Sequence, residues 1–125
     1  MLTREVLLAA ALVALVTAGV AHTWGYDQVG IASWYGPGFH GERTSSGEIY
    51  DMHEMTAAHK SLPFGTIVKV VDLTSGNSVV VRITDRGPFI PGRIIDLSKR
   101  AAQELEIIDT GTARVGLTIL HWPPD

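Results

Sequence analysis

Residues 67–83 read IVKVVDLTSGNSVVVRI, and this stretch decides the fold class of the chain. Two runs rich in β-branched residues, 67–72 and 78–83, flank the turn-forming segment LTSGN. β-Branched residues favour strands, and glycine with asparagine between two such runs favours a chain reversal. The stretch therefore predicts two antiparallel strands joined by a loop of several residues.

Shorter strands are predicted on both sides of this hairpin, beyond the breakers GPG and DRGP. Three segments have strand composition: GIASWY (30–35), IIDL (94–97) and ARVGLTIL (113–120). Ser98 is a predicted N-cap for a short helix, because Ala101, Ala102 and Leu105 then share one apolar face. Several short strands, one or two short helices and Gly/Pro turns predict a mostly-β fold, a β-barrel.

The composition indicates one folded domain that does not bind nucleic acid. The chain has 125 residues, of which 46% are hydrophobic and 18% charged, enough for one packed core. The formal net charge is −3 and the ten Lys and Arg residues are scattered, which excludes a broad basic face. No cysteine is present, so thiol catalysis, thiolate metal sites and a lipid anchor on an N-terminal cysteine are not expected.

The first 21 residues have the composition of a secretory signal peptide. Arg4 precedes an apolar run at 6–16, and small residues follow up to Ala21. The alternative is an uncleaved membrane anchor, for which the apolar stretch is shorter than the roughly 20 residues of a membrane span. We therefore predict an N-terminal signal helix at 1–21, cleaved after Ala21, and a periplasmic or secreted protein.

The remainder of the chain divides into three predicted parts. These are a linker at 22–29, the barrel domain at 30–121 and a tail at 122–125. We expect a monomer, which contacts a membrane only if the signal segment is not cleaved.

Three carboxylates occupy tight turns and strand ends, where binding groups are concentrated. Glu48 lies in the polar loop TSSGEIY, Asp85 ends the valine-rich run, and Asp96 stands inside IIDL. A glycan-cleaving site needs a carboxylic acid near the scissile oxygen and often a second carboxylate. The structural alternative is a turn former at Asp85 and an acceptor for helix-start amides at Asp96. The residues alone leave both interpretations open.

The histidine spacing does not predict a metal site. His40, His53 and His59 are 13 and 6 residues apart, which fits no compact zinc motif, so no metal or other cofactor is expected. His59 is a candidate hydrogen-bond donor or carboxylate-orienting residue, or else a half-buried loop histidine. Trp34 and Tyr35 are candidates for stacking on sugar rings, or for core packing.

Five ordered blocks lie between residues 30 and 105. They are GIASWYG (30–36), FHGERTSSGEIYDM (39–52), MTAAHKSLPFGTIVKV (55–70), VVVRITDRGPF (79–89) and GRIIDLSKRAAQEL (92–105). Together they resemble the RlpA (rare lipoprotein A) family of septal-ring-type lytic transglycosylases. The resemblance implies a six-stranded double-psi β-barrel, the fold of expansins and family-45 endoglucanases. IIDLS is also similar to the expansin segment that carries an acidic residue in the groove.

The resemblance implies a catalytic set of Glu48, His59 and Asp85, which match the family glutamate, the TAAH histidine and the DRGP aspartate. The other predicted site residues bind substrate: Trp34, Tyr35, Arg86 and Asp96. We expect the catalytic set to open onto one polar groove, with Asp85 the more buried carboxylate and its pKa raised by burial. The lipobox cysteine of the family is missing from the pattern, so a lipid anchor is not expected. A C-terminal glycan-binding repeat is also missing, so septal targeting is not expected.

The implied activity is endolytic cleavage of peptidoglycan between MurNAc and GlcNAc with formation of 1,6-anhydro-MurNAc. An acid protonates the bridging oxygen and the muramyl C6 hydroxyl attacks C1, so one carboxyl group can act first as acid and then as base. Asp85 or Glu48 has this role, and the sequence does not choose between them. Two alternatives stay open: a non-catalytic, expansin-like module that binds and loosens glycan, and a two-carboxylate glycoside hydrolase.

Overall fold

A computed structural model describes residues 25–124, and the predicted signal peptide at 1–21 lies outside the described residues. In the described part, the elements are β1 Gln28–Trp34, β2 Thr56–His59, β3 Ile67–Asp72, β4 Ser78–Asp85, β5 Arg93–Leu97, α1 Lys99–Leu105 and β6 Ala113–His121. Within residues 25–124, no helix has both the length and the apolar character needed to cross a bilayer.

The six strands close into a barrel in the order β1-β5-β2-β4-β3-β6, which confirms the predicted mostly-β, six-stranded fold. β3 and β4 pair antiparallel, as the hairpin pattern predicts, with Val70 opposite Val79. Two pairs are parallel, β1 with β5 and β2 with β4. β6 closes the barrel between β1 and β3, so the sheet keeps no free edge.

Alternate residues of β4 point into the barrel. Val79, Val81 and Ile83 are at most 6% exposed, whereas Val80 is 46% exposed. Val80 is exposed because every second side chain of a barrel strand faces solvent. Truncating an inward residue such as Ile83 to alanine is expected to cost about 2–5 kcal/mol.

Ser98 joins β5 to the helix. Its hydroxyl accepts from the Ala101 amide over 3.1 Å and donates to the Glu54 carbonyl over 2.6 Å. Ala101, Ala102 and Leu105 have 0% exposure, which confirms the predicted N-cap and the predicted apolar face. The cap fixes the chain two residues after Asp96.

Both parallel strand pairs shift register just before a candidate carboxylate. In β2–β4, Ala57 faces Ile83 and Ala58 faces Asp85, so Thr84 is the extra residue. Thr84 is buried next to buried Ile83, and Asp85 is half-buried. Such irregularities re-aim the side chains that follow them. Asp85 would otherwise share the inward parity of Val81 and Ile83.

Two differences from the sequence-based description concern the strands. β1 begins at Gln28, two residues before the predicted domain start, and the Tyr26 ring lies so close to Gly116 that an added Cβ there would be 2.5 Å from a ring atom. β2 was not predicted as a strand, although all four of its residues are buried. Its sequence TAAH is short and mostly small residues, which carry little strand signal.

Candidate active site

Asp85, at the end of β4, accepts hydrogen bonds from three neutral donors. The Tyr35 hydroxyl donates to Oδ2 over 2.6 Å. The backbone amides of Ser45 and Arg86 each donate to Oδ1 over 2.9 Å. Tyr35 directly follows β1, and its amide donates to the Leu97 carbonyl of β5 over 2.9 Å. The barrel strands therefore fix both the carboxylate and its phenol donor.

The pKa of Asp85 is set by burial and by these donors acting in opposite directions. Burial raises the pKa of Asp85, because a half-buried carboxylate is poorly hydrated. The hydrogen bonds from Tyr35, Ser45 and Arg86 outweigh burial, and the pKa lies below its ordinary value. Asp85 is more buried than Glu48, as expected. The predicted rise of its pKa is wrong, because the donors favour the charged form.

Tyr35 is held between Asp85 and Tyr50. Its ring stacks on Tyr50 with centroids 4.5 Å apart and an interplanar angle of 14°. Burial, followed by the hydrogen bond to Asp85, raises the pKa of Tyr35 far above its ordinary value. The Tyr50 hydroxyl accepts from the Lys99 amide over 3.1 Å, which ties the stack to the start of α1. Tyr35 therefore stays protonated as a hydrogen-bond donor.

A cavity of about 370 Å³ opens beside Asp85, and we call it the Asp85 groove. Its polar and aromatic lining comprises Ser33, Trp34, Tyr35, Asp85, Arg86, Phe89, Arg93 and Asp96. Both aromatic residues that the sequence suggested for sugar stacking line this groove together with Asp85. Phe89 at 79% and Ile90 at 53% exposure add an apolar rim. Flat apolar faces beside a carboxylate suit a sugar ring.

Asp96 is the second carboxylate of the Asp85 groove. It lies opposite Ser33 in the β1–β5 ladder and accepts a hydrogen bond from the Ser33 hydroxyl. The half-buried Asp96 thus takes a donor from the neighbouring strand rather than from the helix-start amides. Two carboxylates and a phenol on one groove form the set of groups that acid–base work on a glycosidic bond requires.

Glu48 lies outside the Asp85 groove, on the exposed loop that precedes Tyr50. Its carboxylate forms a bidentate pair with Arg82, with N–O distances of 2.6 and 3.1 Å. The hydrogen bond from Arg82 lowers the pKa of Glu48, against a small opposing effect of burial. The loop also bonds to β4 through the Ser46 amide, which donates to the Thr84 carbonyl over 3.3 Å. Glu48 therefore fastens the loop whose Ser45 amide binds Asp85.

His59, at the end of β2, is 4% exposed and fully bonded within the fold. Its Nδ1 accepts from the Ser61 and Leu62 amides over 3.1 and 3.0 Å, so Nε2 carries the proton and donates to Gln28 Oε1 over 2.8 Å. Burial, then the charges of Arg86 and Lys60, lowers the pKa of His59, which keeps the ring neutral.

Arg86 connects His59 to the site through the backbone. Its guanidinium donates to the His59 carbonyl over 3.2 Å and lies 4.0 Å from the centroid of the Phe64 ring. A cation over an aromatic face is attracted to the ring electrons. The Arg86 guanidinium therefore contacts the His59 carbonyl and the Phe64 ring, while the Arg86 backbone amide donates to Asp85.

The expected convergence of the three predicted catalytic side chains is not found. Asp85 lines the Asp85 groove and an adjoining cavity of about 360 Å³, and neither Glu48 nor His59 is among the residues that line them. His59 lines a separate cavity of about 200 Å³. The reason is that Glu48 has its cationic partner on the outer face of β4, and the His59 ring bonds to its own turn. The two carboxylates brought together are Asp85 and Asp96.

Sequence reasoning missed Ser33, Ser45 and Arg82. Arg82 had a signal, since a lone cation in a valine-rich strand indicates an outer face with a carboxylate partner. For Ser33, the only signal in the sequence was its position next to Trp34. Ser45 acts through its backbone amide, which no side-chain pattern indicates. Within residues 25–124, no three His, Cys, Asp or Glu side chains are grouped closely enough to hold a metal ion.

Comparison with solved structures defines the class of fold. An expansin of Clavibacter michiganensis gives a TM-score of 0.60 at 21% identity, over 78% of this chain and 52% of that chain. A Streptomyces papain inhibitor gives 0.59 at 19% identity, over 78% of this chain and 98% of that chain. At such identities the likeness concerns the fold alone. The fold is an expansin-like double-psi β-barrel, and this one carries two carboxylates in an open groove.

The chain belongs to the family described as lytic transglycolase, whose model matches residues 27–117. It is 57% identical over 91 residues to the endolytic peptidoglycan transglycosylase RlpA of Campylobacter jejuni, covering 73% of this chain and 33% of the relative. A probable RlpA of Synechocystis is 59% identical over 92 residues, covering 74% and 29%. The resemblance drawn from the five sequence blocks is confirmed. The chain spans about a third of the length of these relatives.

Proposed function

We propose that this domain cleaves peptidoglycan glycan strands endolytically between MurNAc and GlcNAc, as a lytic transglycosylase that leaves 1,6-anhydro-MurNAc ends. The observation that carries the proposal is the Asp85 groove, which an ionised carboxylate, a second carboxylate and aromatic side chains line together. The family of the chain and the names of its relatives support this choice of substrate. Action on peptidoglycan requires an extracytoplasmic location, and we propose a monomeric protein with no cofactor.

Asp85 is proposed to stabilise the positive charge that develops in the reaction and to act as the general base. When the glycosidic bond breaks, positive charge develops at C1 of the muramyl ring, and a fixed negative charge stabilises that state. The muramyl C6 hydroxyl must also lose a proton as it attacks C1. A carboxylate that is already ionised in the free protein can accept that proton without prior deprotonation.

Asp96 is the proposed proton donor to the bridging oxygen. A donor must lie in the same groove, and the Glu48 carboxylate is paired with Arg82 outside it. Asp96 carries one hydroxyl donor from Ser33, whereas Asp85 carries three donors. Because the pKa of Asp85 is lowered, Asp85 is ionised, and Asp96 is the other carboxyl group that lines the groove. This assignment divides acid and base between two carboxylates of the groove.

Glu48 and His59 are proposed as positioning residues. The Glu48–Arg82 pair fastens the loop that presents the Ser45 amide to Asp85. The His59 carbonyl anchors the Arg86 side chain, whose backbone amide also donates to Asp85. Both residues therefore act on Asp85 through backbone donors and need not touch the glycan. Trp34 is the proposed sugar-stacking residue of the groove.

The test is product analysis on purified glycan strands by mass spectrometry. We expect 1,6-anhydro-muramyl ends from the unchanged protein and none from Asp96→Asn. Reducing muramyl ends without the anhydro ring would indicate a hydrolase and contradict the proposal. Intact strands would indicate a binding module.

A non-catalytic, expansin-like glycan-binding module is the second candidate function. It is favoured by one observation: the pKa values of Asp85 and Glu48 both lie below their ordinary range, so neither holds a proton in the free protein. Catalysis then depends on Asp96 alone for its acid. Unaltered strand length after incubation, together with measurable binding to insoluble peptidoglycan, would establish this alternative.

A further inference from the structure

A further cavity, of about 410 Å³, shares Trp34, Tyr35 and Gly36 with the Asp85 groove. Asp85 itself does not line it. Its other walls include His40, Tyr50, Met52 and Lys99, and we call it the Lys99 cavity. The volume falls in the range of about 300–1,000 Å³ that proteins use for small ligands. The two cavities therefore share the Trp34–Gly36 segment as a common wall.

The walls of the Lys99 cavity combine aromatic rings with a turn that leaves space. Trp34, Tyr35 and Tyr50 contribute three aromatic side chains. Gly36 and Gly38 form the turn, and a Cβ added at either would meet no atom within 4 Å. The lining is therefore open and rich in flat apolar faces, which suit a pyranose ring.

Lys99 is the cation of this cavity, and it is half-buried. Among residues 25–124, no carboxylate lies within 4.0 Å of its ammonium group. It is also the first residue of α1, where a positive charge opposes the helix dipole. Lys99 is therefore a cation without an acidic partner among residues 25–124, and it is available to bind an acceptor oxygen of a ligand.

We propose that the Lys99 cavity is a second sugar subsite, which binds an N-acetylated sugar of the same glycan strand beyond the one at Asp85. Trp34, which lines both cavities, supplies an apolar face at their common wall, and the Lys99 ammonium binds an acceptor oxygen on the sugar. That oxygen belongs either to an acetamido carbonyl, present on every sugar of the strand, or to the lactyl group of a muramyl residue. The inference rests on the proposed function only in taking the ligand to be peptidoglycan glycan.

Lys99→Gln tests the subsite, with Arg100→Gln as the matched control. Arg100 is the next residue of the same helix, pairs with Glu104 over 2.5 Å and lines neither cavity, so its variant removes the same charge nearby. Removing a cation from the first turn of α1 does not oppose the helix dipole, so Lys99→Gln is expected to fold. Thermal melting of both variants checks this.

The measurements are titrations with chitohexaose and with peptide-free glycan strands, and turnover of long strands against a tetrasaccharide. Lys99→Gln is expected to weaken binding roughly tenfold, the effect of losing one charge-assisted hydrogen bond. It should lower kcat/KM for long strands and spare the tetrasaccharide. Weaker binding of both ligands assigns the acetamido carbonyl, and weaker binding of the muramyl strands alone assigns the lactyl group.

Two results separate the subsite from the proposed function. If Lys99→Gln matches Arg100→Gln in both titrations and in the length dependence, the subsite is refuted, whatever the products are. If the unchanged protein releases no cleaved strand but its binding still depends on Lys99, the proposed activity fails and the subsite stands.

Discussion

Asp85 and Glu48 are both ionised carboxylates near glycine-bounded turns, yet their surroundings are opposite. Glu48 is exposed, and its charge is compensated by the Arg82 guanidinium 2.6 Å away. Asp85 is half-buried and receives only neutral donors from a phenol and two backbone amides. Among the described residues, no cation lies within salt-bridge distance of Asp85.

The difference shows which carboxylate keeps an uncompensated negative charge that can act on a substrate. A carboxylate held by neutral dipoles keeps its full negative charge and a fixed orientation, whereas a salt-bridged one shares its field with its cation. The pKa values of both groups are lowered, so a lowered pKa alone does not separate them. The two carboxylates differ in their hydrogen-bond donors, which are neutral at Asp85 and cationic at Glu48. The following predictions test this contrast, beginning with the largest effect.

Asp85→Asn is expected to lower turnover of glycan strands by about 10²-fold or more, because asparagine keeps the shape and an acceptor oxygen but not the charge. Binding and folding should stay close to those of the unchanged protein. Steady-state kinetics on soluble strands measures kcat and KM separately. A loss confined to KM would mean that Asp85 only binds substrate.

Tyr35→Phe is expected to lower turnover by about tenfold and to move the acid limb of the pH–rate profile to higher pH. The phenol favours the ionised form of Asp85, so its removal raises the pKa of Asp85 and protonates it earlier as pH falls. Phenylalanine retains the stack on Tyr50. An unmoved acid limb, with lower turnover at every pH, would show that the Tyr35 hydroxyl does not act through the pKa of Asp85.

Glu48→Gln is expected to reduce turnover only a few-fold and to change the free energy of unfolding by less than about 1 kcal/mol, as for exposed ion pairs. The loop keeps its backbone hydrogen bonds, including the Thr44 amide to the Glu48 carbonyl over 2.8 Å. Raising the salt concentration should reproduce part of the effect in the unchanged protein. Should Glu48→Gln inactivate as fully as Asp85→Asn, the catalytic role that the sequence predicts for Glu48 would be right.

The smallest expected effect is on stability at acid pH. The folded-state pKa of Asp85 lies below its ordinary value, so the stability it contributes is complete above about pH 4 and is lost as pH falls through the folded pKa. Melting temperature between pH 6 and pH 2 should therefore fall less steeply in Asp85→Asn than in the unchanged protein. Identical slopes would show that the pKa of Asp85 is the same in the folded and the unfolded chain, which contradicts its lowering by the hydrogen bonds.

The parts of the fold that the sequence predicted are those specified locally. The β3–β4 hairpin has its β-branched runs and its turn in one continuous stretch, and the Ser98 cap lies three residues from the amide it accepts from. β2 was not predicted because its residues are buried by pairing with β4 and β5 on either side, whereas its own sequence carries little strand signal. Small side chains become strand residues here only through tertiary pairing.

The candidate site was predictable in its residue types but not in its grouping. Asp85 and Asp96 were both identified from their positions at strand ends. That they share a groove depends on the register shifts at Thr84 and in β1–β5, which no periodicity in the sequence reveals. The separation of Glu48 from that groove depends on Arg82, a partner 34 positions away along the chain.

Closure of the barrel by β6 also determines when the strands around Asp85 become fully paired during folding. β6 is the last strand along the chain, and it pairs with β1 on one side and with β3 on the other. A chain that emerges from a ribosome or an export channel amino-terminus first releases β6 last, and until then β1 and β3 have unpaired edges. Tyr35 directly follows β1, so its hydrogen bond to Asp85 is held in place only after β6 has paired with β1. The contact between Tyr35 and Asp85 is therefore complete only after all six barrel strands have emerged.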